Sequence, residues 1–413
     1  MIFQKKYLFY ILAFGSAIIS SMNAGIDAAV SMLFVTDIWA LGLGIFILGI
    51  PIGILFALIF SVKIKGKNIG KRVADPSFNG LRLLRKSELS YQVLAGIGNA
   101  MYTLGYFALF TMVEDPSIVL PFTQAVILYL VAIESINEKD TPTLSELQSV
   151  LIVTFGAILG SISLSGSLNV ESLLIVFFII NPGWVLLTVY QRKLKWLRIN
   201  GDHNDSINIR VWNTIFACLI SAIIIISIDV LFGTNHIMNT LEAISLHLPW
   251  VSLIAVGAFF AFIFYIRALG IGKASVVQAI RSSVIIFSIP VSLVLISLNV
   301  IEPFSFEPTL LIIKGIGIII MILGILSFSL NLVKAYIFIK IKPGYRADDI
   351  MKSLWAIRGV THVSATAGTY DFIVKIRTRA LVKGYENIIK RIQDIDAIKF
   401  FRWESILKEW EEI

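Results

Sequence analysis

The sequence predicts an α-helical membrane protein of ten transmembrane helices, arranged as inverted 5+5 repeats and followed by a small α+β domain. Three observations carry this expectation. Of 413 residues, 57% are hydrophobic and 15% charged, far from the mix of a soluble domain, and apolar runs of about eighteen residues or more recur, long enough to cross a hydrocarbon core. Second, Ala274 to Ser292, ASVVQAIRSSVIIFSIPVS, has a diluted copy upstream in Pro116 to Glu134, PSIVLPFTQAVILYLVAIE. Ser117 stands opposite Ser275, Ile118 and Val119 opposite Val276 and Val277, and Val126-Ile127-Leu128 opposite Val284-Ile285-Ile286. In the later copy Ser275, Gln278, Arg281, Ser282, Ser288 and Ser292 fall on one side of a helix. Third, the composition changes abruptly after Val333.

In order along the chain, apolar segments run from about Tyr7 to Asn23, Trp39 to Val62, Tyr91 to Met112, Ser117 to Ile133 and Leu147 to Leu164. Five more follow: Leu173 to Tyr190, Val211 to Phe232, Pro249 to Ala268, Ala274 to Leu298 and Thr309 to Val333. The N-terminal run lacks a small-residue cleavage site and is expected to stay as the first helix. Cys218, the single cysteine, lies in an apolar run, so neither an intrachain disulfide nor a cysteine metal site is available.

Positive charge orients the spans. The net charge of +8 sits in alternate loops and the tail, which points to membrane topology and not to nucleic acid. With the N-terminus inside, the inner loops hold Lys5 and Lys6, the basic stretch Lys63 to Glu88, Lys139, the stretch Gln191 to Arg210, and Lys273. The outer loops, around Asp27 and Asp37, Glu114 and Asp115, Glu171, Glu242, and Glu302 and Glu307, carry no Lys or Arg. Both termini are therefore expected in the cytosol. Five helices per half then make the fourth and ninth spans antiparallel, with a site between the halves near the midplane.

Over Tyr7 to Val333 the chain resembles the drug/metabolite transporter superfamily, EamA-like branch. The residues that carry the resemblance are Val113-Glu114-Asp115-Pro116 before the fourth span, Ile136-Asn137-Glu138-Lys139 after it, Gly156 and Gly160 in the fifth, and Tyr190-Gln191-Arg192-Lys193 closing the sixth. Asn137-Glu138-Lys139 departs from the Gly-Glu-Arg-type turn frequent there, and the second half keeps only Leu298-Asn299-Val300-Ile301-Glu302. The resemblance implies two five-helix repeats, over residues 1–165 and 166–333, around a central cavity lined by the first, third, fourth, sixth, eighth and ninth helices.

The tail, residues 334–413, alternates apolar and basic residues from Ala335 to Lys342 and turns at Pro343-Gly344. Ile350, Leu354 and Ile357 have helical spacing. Val360 to Ala367 and Tyr370 to Arg377 read as a hairpin, followed by a helix around Ile388 and Ile392 and a strand from Ile398. The order βαββαβ predicts a ferredoxin-like sandwich. Ile341-Lys342-Pro343-Gly344, Arg358-Gly359-Val360 and Gly368-Thr369-Tyr370-Asp371-Phe372-Ile373-Val374-Lys375 resemble the effector-binding domain of Lrp/AsnC-type regulators. The resemblance implies an amino-acid effector near Gly368, Thr369, Tyr370 and Asp371, and a homodimer. The helix-turn-helix of such regulators is absent, so no nucleic-acid partner is expected.

No enzyme constellation stands out. The four histidines are scattered and no Gly-rich phosphate loop occurs, so neither catalysis nor a cofactor is expected. Polar residues inside spans are the informative ones, because each is costly in lipid unless it faces protein or water. Asn99, Tyr102 and Tyr106 share a face of the third span, and Trp184 lies inside the sixth, where Pro182 should bend the helix. Gln124 and Gln278 either line a pocket or hydrogen-bond helix to helix. Arg281 either snorkels or pairs with Glu134, or else clamps a substrate carboxylate or phosphate. Gly49/Gly53 and Gly156/Gly160 read as close-packing contacts. Asp27, Asp37, Glu134, Glu171 and Asp229 fall at span ends, which leaves no carboxylate at mid-membrane for a proton relay.

These features together predict a plasma-membrane permease, embedded in the bilayer, for a small molecule, and the resemblance of the tail to amino-acid effector domains implies that this molecule is amino-acid-like. Two alternatives are a membrane-anchored receptor that does not transport, and a carrier of nucleotide sugars or lipid precursors.

Overall fold

The computed structural model describes residues 5–112, 120–138, 144–161, 170–199, 201–299, 308–330, 332–357, 360–379 and 384–405. The turn Val113 to Pro116, Ser117 to Val119, Lys139 and Arg358-Gly359 lie outside them. The chain forms two compact units, Met1–Asp140 with Val150–Leu323, and Thr141–Ser149 with Gly324–Ile413.

Up to Leu330 the described chain is almost wholly helical. It begins with α1 (Lys5–Leu33) and α2 (Ile38–Ser61), joined through a short ladder of β1 (Lys63–Ile64) and β2 (Lys67–Asn68) and the single turn α3 (Ile69–Val73) to α4 (Lys86–Met112). A 3-10 turn, Leu120–Ala125, leads into α5 (Val126–Glu138), then come α6 (Leu144–Ser161), α7 (Val170–Ile175), a π turn at Val176–Ile180, and α8 (Asn181–Trp196). A second ladder, β3 (Arg198–Ile199) with β4 (Asp202–His203), precedes α9 (Ser206–Phe232), α10 (His236–Leu269), α11 (Ala274–Arg281), α12 (Val284–Ser297) and α13 (Pro308–Leu330).

Among the described residues, six stretches are long and apolar enough to cross a membrane: Leu8–Leu33, Ile38–Ser61, Val170–Trp196, Ser206–Phe232, His236–Leu269 and Ala274–Ser297. Their outward faces carry exposed Leu55, Leu58, Ile223, Val230, Leu293 and Val294, a surface suited to lipid and not to water. These features are those of a multi-pass membrane protein.

Several departures from the expected segments shape the interior. The first helix does not stop at Asn23 but runs to Leu33, because Val30 and, beyond the helix, Val35 pack into a cluster with Leu41, Val251 and Ile254. What reads as the outer loop before Pro249 is helical from His236, with a kink at His247 (φ −122°, ψ 28°), where Pro249 cannot donate to the preceding turn. Ala274 to Leu298 is not continuous: α11 ends at Arg281 and α12 starts at Val284. The sixth span is re-registered by the π turn directly before Asn181-Pro182, which absorbs the carbonyls that Pro182 leaves unpaired.

The basic stretch after α2 is a structured layer, not a free loop. Arg82 grips Glu88 through two hydrogen bonds of 2.6 and 2.7 Å and also reaches Asn204 at 2.8 Å. The Lys195 ammonium donates to Asp75 at 2.6 Å, and Ser206 donates to the same carboxylate oxygen from its N–H at 2.9 Å and its hydroxyl at 2.7 Å. Burial works against charge on Asp75, but the Lys195 ammonium and these donors outweigh it and hold the carboxyl below its ordinary range.

The second unit holds the α+β tail, with β5 (Leu332–Ile341), α14 (Ala347–Trp355), β6 (Val360–Ala365), β7 (Phe372–Arg379), α15 (Gly384–Gln393) and β8 (Ile398–Ser405). The sheet is antiparallel in the order β6-β7-β5-β8. Alternate residues Ala335, Ile337 and Ile339 of β5 and Phe372, Val374 and Ile376 of β7 point to one face, where Ile350 and Leu354 of α14 and Ile388 and Ile392 of α15 complete the core. Period two meets period 3.6, as the sequence pattern requires.

Candidate functional site

The first unit holds a partly open cavity of about 440 Å³, within the range of small-molecule sites. Its position depends on close approach of α4 and α8. A Cβ at Gly98 would come within 2.5 Å of the Leu187 backbone nitrogen, and one at Gly183 within 2.8 Å of the Tyr102 nitrogen. Only glycine on both helices lets them meet this closely. The approach brings Tyr102 and Trp184 into an edge contact with ring centres 4.4 Å apart.

All seven residues singled out from sequence for this region face the cavity. Asn99, Tyr102 and Tyr106 come from α4, Gln124 from the 3-10 turn, Trp184 from α8, and Gln278 and Arg281 from α11. Trp184 Nε1 donates to Gln278 Oε1 at 3.0 Å, so Gln278 both joins two helices and lines the space. The Tyr265 hydroxyl, 2.8 Å from Thr188 Oγ1, also reaches Gln278 Oε1 at 3.5 Å. Asn99 Nδ2 donates to Asn213 Oδ1 at 3.0 Å, and Gln124 Oε1 is buried with no hydrogen-bond partner in the protein.

Arg281 closes α11 against an aromatic wall. Its guanidinium carbon lies 4.5 Å from the centre of the Trp184 ring and 5.3 Å from that of Tyr265, distances at which the ring quadrupole attracts a cation. Nη2 donates to Ser20 Oγ of α1 at 3.1 Å, while Nε is buried with no acceptor.

The pairing with Glu134 expected as one reading of Arg281 is not formed. Glu134 Oε1 instead accepts from Arg192 Nη1 at 2.6 Å and from the Ala274 N–H at 2.5 Å. Its other oxygen accepts from the Ser275 hydroxyl at 2.5 Å and N–H at 3.3 Å. A carboxylate at the start of a helix satisfies its orphan N–H groups and opposes the positive end of its dipole. Glu134 therefore positions α11, and through it Gln278 and Arg281.

Three cavity residues escape the sequence pattern. Asp27 is not in an outer loop; it lies within α1 and faces the cavity, with Oδ1 buried and unpartnered in the protein. Arg210, counted from sequence among inner-loop charges, is 4% exposed on α9 and faces the same space. Its guanidinium carbon stands 4.1 Å from the Phe262 ring centre, with Nε and Nη1 unpartnered. Phe262, from α10, adds a further ring 6.0 Å from Trp184. The one signal available for Asp27 was its seven-residue spacing from Ser20 on the same helix.

In the tail, the turn between β6 and β7 is tied back to β5. Asp371 Oδ1 accepts from Lys340 Nζ at 3.0 Å, Oδ2 accepts from the Ile341 N–H at 2.8 Å, and the Asp371 N–H donates to the Ile339 carbonyl at 2.9 Å. The Ile341 N–H and the Lys340 ammonium hold the Asp371 carboxyl below its ordinary range. Tyr370 packs between Phe338 and Phe400, with ring centres 5.3 and 6.1 Å away. Gly368 has open space around it and Thr369 is exposed. Asp371 thus holds the turn in place, with Gly368 and Thr369 at its tip. Among the described residues, no group of three or more His, Cys, Asp or Glu is placed to hold a metal ion.

Fold and site together define a helical membrane protein with a cavity of aromatic and apolar walls and a few polar groups, and a small α+β domain. Residues 334–412 match the Lrp/AsnC ligand binding domain family, so this tail is a ligand-binding domain of that type. A solved structure titled "Crystal structure of protein" is similar with a TM-score of 0.50 at 13% identity, over 78% of this chain and 97% of its own. That likeness shows the fold alone. No curated protein matches the chain.

Proposed function

We propose that the protein is a plasma-membrane permease for a small amino-acid-like metabolite, and that its cytosolic tail senses an amino acid and dimerises the carrier. The observation that carries this reading is the cavity itself: a partly open space walled by Tyr102, Trp184 and Phe262 and supplied with the polar groups of Gln124, Gln278 and Arg281. Aromatic walls with a few convergent polar groups suit a small polar metabolite.

The reading includes ten spans in two inverted five-helix halves. Supporting it, the α-helix begins at Val126 in one copy of the duplicated stretch and restarts at Val284 in the other, the residues that the two sequences pair. Broken helices at a central site are a recurring device of carriers, since the interrupted backbone can face a cavity without exposing unpaired groups to lipid. The amino-acid character rests on the match of the tail to a ligand-binding domain, with the effector held around Gly368 to Asp371 at a contact between two copies.

The test is uptake of a mixture of labelled amino acids into proteoliposomes holding the purified full-length protein. Saturable uptake above protein-free vesicles is expected. Specific binding without uptake would favour a membrane-anchored receptor. Uptake of nucleotide sugars in place of amino acids would move the substrate class.

A further inference from the structure

Resting on that permease reading, we propose that the cavity is built for an acidic amino acid, with Asp27 taking the ammonium group and Arg210 and Arg281 taking the two carboxylates. Among the described residues lining the cavity, these three are the charged ones. None of them forms an ion pair. Asp27 Oδ1, Arg210 Nε and Nη1, and Arg281 Nε are all buried without a partner in the protein. Elsewhere in the first unit buried charges have partners at short range: Arg192 pairs with Glu134 and Lys195 with Asp75, each at 2.6 Å, and Asp205 accepts from the Asn208 N–H at 2.7 Å. Charges out of water are costly unless paired, and the cavity holds apart three that could have neutralised one another.

The spacing is built in. Arg281 is held at Ser20, and Ser20 and Asp27 lie seven residues apart on α1. That is two helical turns on one face, about 10 Å of rise. The carboxylate and this guanidinium are therefore set along the cavity and not against each other. The two guanidiniums share one aromatic shelf: Arg281 stands over Trp184, Arg210 over Phe262, and those rings are 6.0 Å apart.

Protein charge in the cavity, one negative and two positive, is complementary to a ligand with one positive and two negative groups. A neutral amino acid would leave one guanidinium without an anion. A dicarboxylate lacking the amine would leave Asp27 facing no cation. Arg is suited to the task because its planar fork matches a carboxylate.

The experiment uses the full-length protein in proteoliposomes with three labelled probes: glutamate, glutamine and 2-oxoglutarate. Wild-type protein should prefer glutamate over both others. Asp27→Asn should cut glutamate uptake about ten- to a hundredfold, as for loss of a charged hydrogen bond, and should abolish the preference for glutamate over 2-oxoglutarate. Arg210→Gln should abolish the preference for glutamate over glutamine. Monodisperse elution of each variant establishes that it folds, and the preference ratios are independent of the amount reconstituted. Glutamine moved as well as glutamate by the wild type, or a glutamate to 2-oxoglutarate ratio unchanged in Asp27→Asn, would overturn the inference and leave the permease reading standing. Uptake of no amino acid at all would bring down the amino-acid permease reading as well.

Discussion

Glu134 offers the sharpest stability test, because one carboxylate serves both a buried guanidinium and the start of α11. Its side chain is 9% exposed and that of Arg192 is 8% exposed. Replacing Glu134 with Ala removes the 2.6 Å ion pair and the acceptor for Ala274 and Ser275. Removing one partner of a buried pair costs about 3–5 kcal/mol, with about 1 kcal/mol more for the lost helix cap. Chemical unfolding in detergent, followed by the loss of native fluorescence, measures the sum. The exposed pair Arg402–Glu404, at 2.8 Å with side chains 66% and 47% exposed, is the internal comparison, and Arg402→Ala should cost at most about 1 kcal/mol. Adding Arg192→Leu to Glu134→Ala should recover part of the loss, since an apolar replacement relieves a buried charge of its missing partner. A loss below about 1 kcal/mol for Glu134→Ala, equal to that of Arg402→Ala, would refute the assigned role.

Other consequences are as direct. Gly98→Ala should destabilise the protein by about 1–3 kcal/mol, because its Cβ meets backbone of α8, whereas Gly315→Ala, with open space around it, should be neutral; equal thermal shifts would refute the α4–α8 packing. A cysteine replacing exposed Glu242 should react with an impermeant maleimide on intact cells, and one replacing exposed Lys65 should not; the reverse pattern would invert the topology. Residues 332–413 should fold alone, self-associate and give saturable heat with at least one amino acid. In that fragment the Asp371 contribution is present above the unfolded carboxylate pKa of about 3.9 and is lost as pH falls through the lower folded value. Asp371→Asn should therefore weaken the fragment at neutral pH and remove part of its acid lability, and an unchanged acid transition would count against the Lys340 and Ile341 contacts.

Much of this architecture could be read from residue type and spacing. The tail was legible strand by strand, since period-two burial in Ala335, Ile337 and Ile339 alternates with helical spacing at Ile350 and Leu354. The aromatic and amide groups of the cavity were legible too, because Tyr102, Trp184 and Gln278 stand out within apolar runs. Charged residues near span ends were not. Arg210 lies four residues inside α9 and Asp27 six residues before the end of α1, where a charge count assigns them to loops. Whether such a residue faces lipid, water or a cavity depends on the helix packed against it, and single-sequence periodicity does not contain that. The break at Ser282-Ser283 carries no proline or glycine to mark it. The proposed duplication is supported by the aligned restarts at Val126 and Val284, while six of the described stretches are long and apolar enough to cross a membrane.

The claim on which the account turns is that a metabolite passes through this cavity. Ala258 of α10 lines it, and Ala258→Phe would fill part of the space with a ring while removing no polar group. The direct measurement is counterflow: proteoliposomes loaded with unlabelled amino acid are diluted into labelled amino acid, and accumulation is followed for the wild type and for Ala258→Phe. The account predicts transient accumulation by the wild type and its loss in a folded, monodisperse variant. Accumulation that is undiminished in Ala258→Phe would place the pathway elsewhere and contradict the account.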